Sequence, residues 1–324
     1  MSSPRYSWRV QKVKNIVQDK PKKKHKPMRK GYWRAYDRAV KQSLKAVYEF
    51  CLQVCRELGP PWKQSETGKP AITTPEEHAA LHIVRRLTGK ASRFMERLFP
   101  CIANKNIDHS WHCRTLQRIP SEYIDKAIAL VDSKTAELVK RLKTAFIADS
   151  TGISTDRKHT VIIKGKPARK TIIDKQHIIA RYIPARSLVS IVRSKPTHEN
   201  RNDSPVLREQ LDFQGNGEDL FADAGYDGKA NRQHAKQHNL NPIIKYRQQE
   251  TSRQEKPKQL TVPETKKYKR HRGLIETVFG GAETEYGNKT CFRIVSQRYK
   301  DNKLLSLVHN IKSYLKLLVE VKPT

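Results

Sequence analysis

From residue 144 onward, short apolar runs of strand length come first in series and then in alternation with helical segments. The runs "AFIAD", "VIIKG", "KTIID", "HIIARYI" and "LVSIV" are broken by Lys/Gly/Pro and Pro-Ala turns, which is typical of antiparallel strands. A helix ("SPVLREQLDF"), a strand ("DLFAD"), a helix ("KANRQHAKQH") and a strand ("NPIIKYR") follow. This order predicts an α/β fold in which helices cover a mixed sheet.

The segment before residue 144 has helical periodicity instead. Apolar residues recur at spacings of three and four through 31–58, until "GPP" ends the pattern. "TTPEEHAALHIVRRL" begins with a capping box at Thr74 and Glu77, and the short Arg-rich segment "ASRFMERLF" follows a glycine turn. These two helices fit either a helix-turn-helix or any small helical bundle. A longer helix is predicted over 120–143.

The charge of the chain indicates the class of its partner. Its 65 Lys and Arg against 32 Asp and Glu give a net charge of +33, which attracts polyanions, most commonly nucleic acid. Residues 1–30 contain "DKPKKKHKPMRK", which predicts a disordered basic arm that is either a solvated tail or lies along phosphates. Ribosomal and histone-like proteins share such a charge, so it indicates no particular chemistry.

No apolar run approaches the roughly 18 to 20 residues that a membrane helix needs, so we expect no membrane partner. The N-terminus lacks an apolar signal core, and the five cysteines are odd in number and unevenly spaced. Both features favour a cytoplasmic protein. The segment "DHSWHC" places His109, His112 and Cys113 together, but without a CxxC pair we expect ordinary core residues rather than zinc ligands.

Two aspartates come at the ends of predicted strands. "TAFIADSTG" and "DLFADAGYDG" each contain an apolar run, an aspartate (Asp149 or Asp223) and small turn residues. Functional side chains gather where strands leave an open α/β sheet. A third acid, Glu276, recurs with Tyr268 and Arg272 every four residues on a predicted helix. Each residue has a structural alternative as a turn acid, a cap or a surface ion pair.

Taken together, the three acids favour a metal site. Close carboxylates repel one another unless a cation lies between them, and their oxygens suit Mg²⁺ or Mn²⁺. Two such ions held by Asp149, Asp223 and Glu276 would activate water or a DNA 3′-hydroxyl and stabilise the departing oxygen during attack at phosphorus. The surrounding bases would bring the polyanionic DNA to this acidic pocket.

The segments that contain these acids resemble a known family. "IADSTG", "ADAGYD" and "YKRHRGLIETVFG" resemble, in order, the three acidic motifs of DDE transposases from bacterial and archaeal insertion sequences. "GYWRAYDRAV" (31–40) is similar to their Trp-x-x-Tyr-Asn helix, with Asp37 where Asn is common, and "THENRNDSPVL" (197–207) to the segment before the second Asp. The resemblance covers most of residues 31–290. It implies a ribonuclease-H-like core with a mixed five-stranded sheet.

The resemblance also implies a division of the chain and roles for its residues. We expect a basic arm (1–30), a helical DNA-binding region (31–143) and a catalytic domain (144–324). Asp149, Asp223 and Glu276 would bind the ions, while Tyr268 and Arg272 would contact phosphate near the cut. Lys245 and Arg247 are further candidates for phosphate contacts, from their position alone.

The function implied is metal-dependent cleavage of double-stranded DNA at the ends of an insertion sequence, followed by strand transfer to target DNA. Because two ends must meet, the resemblance implies a homodimer or a higher assembly, and its location would be the nucleoid. A nuclease of the same fold without strand transfer, and a non-catalytic nucleic-acid-binding protein whose acids are structural, remain alternatives.

Overall fold

The computed structural model describes residues 44–64, 72–163, 166–247, 259–271, 273–287 and 289–321. The predicted basic arm at 1–30 and the first part of the predicted 31–58 helix lie outside these ranges. Within them, the region before the sheet is helical, with α1 (Leu44–Leu58), α2 (Pro75–Thr88), α3 (Ser92–Ala103), α4 (His109–Arg118) and α5 (Ser121–Leu138).

Helix α2 begins as its sequence predicts. The Thr74 hydroxyl accepts a hydrogen bond from the Glu77 backbone N–H, and a Glu77 carboxylate oxygen accepts one from the Thr74 N–H at 2.8 Å. Such a cap stabilises a helix by about 1 kcal/mol. At the other end, Gly89 takes a left-handed conformation with φ 61°, which a residue without Cβ adopts without strain.

The sheet has the strand order β3-β2-β1-β4-β5. Its strands are β1 (Ala145–Ile163), β2 (Lys166–Ile183), β3 (Leu188–His198), β4 (Asp219–Ala222) and β5 (Asn241–Ile244). Strand β2 runs antiparallel to β1 and β3, whereas β4 is parallel to β1 and β5. The remaining elements are α6 (Asp203–Gln210), α7 (Lys229–Gln237), α8 (Val262–His271), α9 (Gly273–Tyr286), β6 (Lys289–Thr290) and α10 (Val295–Val321).

This architecture confirms the predicted α/β fold: a mixed sheet of five main strands flanked by helices, after an N-terminal helical region. The two-residue strand β6 adds a short pairing to β1. The first strands are longer than predicted: "AFIAD" and the "VII" of "VIIKG" belong to one strand, β1, and "KTIID" and "HIIARYI" to another, β2. A continuous antiparallel ladder between β1 and β2 extends both strands through their polar segments, with a register shift between Ser154 and Lys158.

One predicted helix boundary also differs. Helix α5 ends at Leu138 rather than 143, because the backbone turns at Val139 and the Leu142 N–H bonds the Val139 carbonyl at 2.8 Å. Helix α8 begins at Val262, where the Glu264 carboxylate accepts the Thr261 N–H at 2.8 Å. Helix α10 begins at Val295.

The two faces of the sheet belong to different hydrophobic clusters. Ile147 and Phe221 lie in the larger cluster, which also contains residues of the N-terminal helices such as Leu81. Phe146 and Leu220, one position earlier on the same strands, lie in the smaller cluster. Successive side chains of a strand point to opposite faces, so this alternation fixes which side each later residue occupies.

Helix α10 ties the sheet to the helical region through buried polar contacts. The Asn310 amide donates to the Ile191 carbonyl at 2.7 Å and accepts from the Ile191 N–H at 2.6 Å. Buried Asp301 pairs with Arg85 and, at 3.8 Å, with Arg86 of α2. Although α10 has 27 residues, no described helix has the combination of length and apolar character that a membrane crossing requires.

Candidate active site

The register of the sheet places the two predicted aspartates beside each other. The parallel strands β1 and β4 pair Phe146 with Leu220 and Ala148 with Ala222, so Asp149 and Asp223 occupy the next matching positions. Neighbouring strands are about 4.8 Å apart. Strand β4 ends at Ala222 as predicted, but Asp149 lies inside β1, opposite Ile178 of β2. The expectation that Asp149 ends its strand is therefore wrong, because pairing with β2 continues the strand beyond the last contact with β4.

Strand alternation puts both aspartates on the face that carries the larger cluster. Asp149 is two residues after Ile147, and Asp223 is two residues after Phe221; both of these apolar residues are in that cluster. Asp149 is only 7% exposed and accepts the Ser150 N–H at 2.9 Å. A carboxylate this deeply placed requires polar or cationic partners.

The loop after β4 is built around the Asp223 side chain. Its Oδ1 accepts the Gly225 N–H at 2.8 Å and caps the 3₁₀ turn Ala224–Tyr226. A Cβ at position 225 would lie 3.0 Å from Asp223 Oδ1 and 3.2 Å from Asp203 Oδ2. Residue 225 must therefore be small, because two carboxylates approach its backbone.

Two contacts show the path of the helix that precedes Glu276. Lys267 in α8 forms a 2.9 Å ion pair with Asp219 at the start of β4. One helical turn later, the His271 ring lies 5.3 Å from the ring of Phe221. Helix α8 therefore advances along β4 in the direction of Asp223.

Helix α9 continues on the same face. Ile275 and Val278, on either side of Glu276, are buried in the larger cluster together with Ile147 and Phe221. Between them in sequence, the Glu276 side chain is exposed.

The predicted phosphate-binding residues have different environments. Lys245 directly follows β5, and its N–H bonds the Ala222 carbonyl at 3.1 Å, so this exposed lysine lies next to Asp223 in register. Arg247 is exposed and its N–H donates to Asp227 at 2.9 Å. Tyr268 is half-buried and packs against the larger cluster. Arg272 lies outside the described residues.

Sequence reasoning did not assign a role to Asp203, the first residue of α6. Its carboxylate accepts the Ser150 hydroxyl at 2.8 Å and pairs with Lys175 at 2.8 Å and His177 at 3.1 Å. Although partial burial acts in the opposite direction, hydrogen bonds from His177, Lys175 and Ser150 hold the pKa of Asp203 well below its usual range. Asp203 thus stays anionic and links β1 and β2 to the loop after β4.

The environment of Tyr226 also reflects the charges of Asp149, Asp203 and Asp223. Burial raises the pKa of its phenol well above the usual value, and the negative charges of Asp203, Asp149 and Asp223 raise it further. The hydroxyl of this 2% exposed side chain therefore lies in the field of all three carboxylates. The segment "THENRNDSPVL" contains Asp203, but its partners Lys175 and His177 lie far away in sequence, and only the folded chain brings them together.

A tight group of possible metal ligands lies away from Asp149, Asp223 and Glu276. Among the described residues, one group of three acidic or histidine side chains has ligand atoms within 4.8 Å of one another: Glu96, Asp108 and His109, on the surface of the helical region. The oxygens of Asp149, Asp223 and Glu276 are spread more widely, as like charges that repel one another should be. Asp108 serves as the N-cap of α4, and His109 pairs with Glu96 at 3.0 Å.

The candidate ligands of the "DHSWHC" segment have different environments. His109 lies near the surface, whereas His112 is fully buried and stacks on His82 of α2 with ring centroids 4.0 Å apart. Burial lowers the pKa of His112 and His82 well below the usual value, so both imidazoles are neutral. All five cysteines are free thiols: Cys51 and Cys55 lie in the core, Cys113 is half-buried, and Cys101 and Cys291 are exposed.

Comparison with known proteins places this site in a family. The model of the transposase DDE domain matches residues 140–311, more than half of the chain and the whole segment from before β1 into α10. Among solved structures, the cryo-EM structure of the piggyBac transposase synaptic complex with hairpin DNA is similar, with 10% identity and a TM-score of 0.42 over 89% of this chain and 77% of that one. No curated protein matches. The chain belongs to the transposase DDE domain family.

Proposed function

We propose that this transposase cuts double-stranded DNA at the ends of its own insertion sequence and joins the 3′-ends to target DNA. The observation that carries the proposal is the matched register of Asp149 and Asp223 on adjacent parallel strands, with the Glu276 helix packed on the same face. Three acids from distant parts of the sequence are thus carried by elements on one face of the sheet, in a chain whose net charge is +33.

The donor set fits a hard divalent cation. Asp149, Asp223 and Glu276 offer charged oxygens, the ligands that Mg²⁺ and Mn²⁺ prefer. Burial raises the pKa of Tyr226, and the nearby carboxylates of Asp203, Asp149 and Asp223 raise it further; the field of these carboxylates also favours a cation. Two bound ions would supply an activated water or 3′-hydroxyl and stabilise the leaving oxygen.

Side chains of the protein would orient the DNA at the site. We propose that Lys245, in register beside Asp223, binds a phosphate next to the one under attack, and that Arg247, Tyr268 and Arg272 bind the flanking backbone. The helical region would recognise the element ends, with a homodimer holding two ends together in the nucleoid. Asp149 is buried and accepts the Ser150 N–H, which would hold its carboxylate in place while DNA is bound and released.

The test is a cleavage and joining assay with labelled duplexes from the DNA that flanks the gene and a target plasmid. Wild-type protein should cut and join with Mg²⁺ and do neither with a chelator. Asp149→Asn should lower both rates by at least about 10²-fold, comparable with removal of a key electrostatic contact, while it leaves DNA affinity unchanged.

Asp212→Asn is the charge-matched control. Its carboxylate is an exposed surface partner of Arg193, so its rates should stay within about twofold of wild type. Cuts without joined product would favour a nuclease instead. Mg²⁺-independent DNA binding with no cuts, and loss of folding in Asp149→Asn, would favour a non-catalytic binding protein.

A further inference from the structure

Strands β1 and β2 extend beyond the sheet as a two-stranded ribbon. The last pairing of β1 with another strand is Thr155 with Thr290 of β6, and the last of β2 is Asp174 with His198 of β3. Beyond these points, in the described residues, β1 and β2 pair only with each other, from Lys158–Thr171 to Ile163–Lys166. We call residues 156–163 and 166–173 the ribbon. Eight residues per strand give it a length of about 26 Å.

The base of the ribbon is firmly attached to the core. Asp174 is fully buried and accepts two hydrogen bonds from the Arg298 guanidinium of α10, at 2.8 and 3.1 Å. Thr155, at the equivalent place on β1, is also buried. A bidentate charged pair is strong and directional. The ribbon therefore leaves the sheet in a defined direction relative to Asp149, which lies on the same strand.

The ribbon is exposed and basic. Its two strands contain five Lys or Arg residues and one Asp. Two of these charges have surface partners: Asp156 pairs with Lys289, and Lys170 pairs with Glu199 at 2.9 Å. Lys158, Lys166 and Arg169 are exposed and form no salt bridge in the described part of the chain. Surface cations without acidic partners are available to an anionic ligand.

One face of the ribbon combines these cations with an apolar end. Residues directly opposite each other on paired strands point to the same side. One face therefore carries, from base to far end, the pairs Lys158–Thr171, Thr160–Arg169 and Ile162–Pro167. Ile162 is a large apolar side chain, and yet it is 70% exposed. The face thus has cations and hydroxyls near its base and an exposed isoleucine–proline pair near its far end. This arrangement suits a nucleic-acid groove, because some proteins insert apolar side chains between base steps there.

We propose that the ribbon binds double-stranded DNA, with Lys158 and Arg169 on phosphates and the Ile162–Pro167 pair in a groove. The site rests on the proposed function for its position relative to the cut, since Asp149 lies on the same strand. Counted along β2, whose residues pair with both segments of β1, Lys158 lies about 23 Å and Ile162 about 36 Å from Asp149. At 3.4 Å per base pair, the contacts fall roughly 7 to 11 base pairs from the attacked phosphate. DNA is a better occupant than a second copy of the chain, because two ribbons of the same charge repel each other.

The experiment compares full-length Lys158→Ala/Arg169→Ala with Lys140→Ala/Arg141→Ala. The control pair has the same charge change, is equally exposed, and lies before the start of β1, at the opposite end from the ribbon. Affinity for a fluorescent 40-base-pair duplex of random sequence is measured by anisotropy at several salt concentrations. The ribbon variant should bind about tenfold more weakly near 0.15 M salt, and the slope of log affinity against log salt should fall by about 1.8 relative to wild type.

The control should stay within about twofold of wild type in affinity. Ile162→Ala/Pro167→Ala should keep the salt slope and reduce DNA bending measured by energy transfer between the duplex ends. On a cleavable end, the ribbon variant should also lose hydroxyl-radical protection roughly 7 to 11 base pairs from the cut. Equal affinity and slope for the ribbon and control variants would overturn the proposal. A change in oligomeric state in the ribbon variant would also overturn it, in favour of pairing between chains.

The DNA-binding measurement tests the ribbon independently of the proposed cleavage and joining activity. It uses random duplex and no cleavage, so a wild-type protein that binds through the ribbon but never cuts would contradict the transposition chemistry alone. Conversely, Mg²⁺-dependent cleavage with unchanged binding by the ribbon variant would leave the chemistry in place and remove the ribbon from it.

Discussion

The molecule contains two polar clusters, one partly open to solvent and one fully buried. In both, the environment lowers pKa values, with opposite consequences for charge. In the acidic cluster around Asp149, Asp203 and Asp223, hydrogen-bond donors lower the pKa of Asp203, which keeps it anionic. In the helical region, burial lowers the pKa of His82 and His112, which keeps them neutral. The acidic cluster is therefore charged, and the histidine cluster is neutral.

The difference in partners explains the difference in charge. Asp203 is surrounded by Lys175, His177 and Ser150, and it remains partly open to solvent. His112 is fully enclosed, and neither of its ring nitrogens has a hydrogen-bond partner in the described part of the structure. A buried polar group without a partner is stable only when it is uncharged. The histidine cluster is therefore a structural feature of the helical region, whereas the acidic cluster has the electrostatics of a binding site.

The largest effect that would sharpen this contrast is expected for Glu276→Gln. The change removes one negative charge from the acidic cluster and keeps the size of the side chain, which is exposed. Mg²⁺-dependent cleavage should fall by about 10²-fold or more. Affinity for duplex DNA should stay equal or rise slightly, because repulsion of phosphate decreases.

Glu57→Gln in α1 provides the control, since this exposed acid pairs only with Lys134 at the surface. Unaltered cleavage by Glu276→Gln, at a Mg²⁺ concentration below saturation, would remove Glu276 from the site and leave the two aspartates without their third acid.

A smaller effect is expected for Asp203→Asn, which tests whether donors around this residue position the site. The amide loses its ion pairs with Lys175 and His177, and the loop after β4 loses a fixed neighbour at Gly225. Supporting groups of this kind typically change metal affinity or activity by about 10–100-fold. Cleavage should therefore fall within that range, and the Mg²⁺ concentration for half-maximal rate should rise.

Glu209→Gln is the matched control on the same helix, because Glu209 makes only surface pairs with Lys195 and Arg201. A variant Asp203→Asn that is less stable but has an unchanged Mg²⁺ requirement would show that Asp203 supports the fold alone.

The smallest expected effect concerns the histidine cluster: a decrease in pH should lower the free energy of unfolding without a change in activity that depends on this cluster. Burial lowers the pKa of His78 to about 4, and it also lowers the pKa values of His82 and His112 well below the usual 6.5. Between these values the unfolded chain binds protons that the folded chain does not, so stability falls as pH decreases from about 6.5 towards 4. Urea unfolding at pH 7.5, 6.5, 5.5 and 4.5 should show this decline, while Asp203 stays ionised throughout.

His112→Phe should reduce the slope of stability against pH by about one proton, or about 1.4 kcal/mol per pH unit. His198→Gln, a change at an exposed histidine of β3, should leave the slope as it is. Equal slopes in wild type and His112→Phe would show that His112 titrates as it does in the unfolded chain, and the contrast between the two clusters would be lost.

Much of the fold could be predicted from local patterns. The capping box at Thr74, the short strand that ends before Asp223 and the helix at Asp203 all depend on neighbours within a few residues. The length of β1 could not be predicted in this way. Its polar stretch after Asp149 has no strand pattern of its own, and it is extended because β2 supplies a hydrogen-bonding partner along its whole length.

The candidate site shows the same division. The three acidic motifs gave Asp149, Asp223 and Glu276, and the family match over 140–311 supports the transposase assignment, although the role of each acid stays a prediction. The partners of Asp203 and the projection of the ribbon were not predicted. They depend on strand register and on contacts such as Asp174–Arg298, which are 124 residues apart in sequence.

By itself, the sequence determined the periodicity, the charge of +33 and the order of the acidic motifs, because these depend only on which residues follow one another. The tertiary structure decided that Asp149 and Asp223 are neighbours, that Asp203 joins them, and that β1 continues into an exposed basic ribbon. The physical reason is that strand register is set by burial of one face and by long-range hydrogen bonds, and a shift of one residue would turn both aspartates to the opposite side of the sheet.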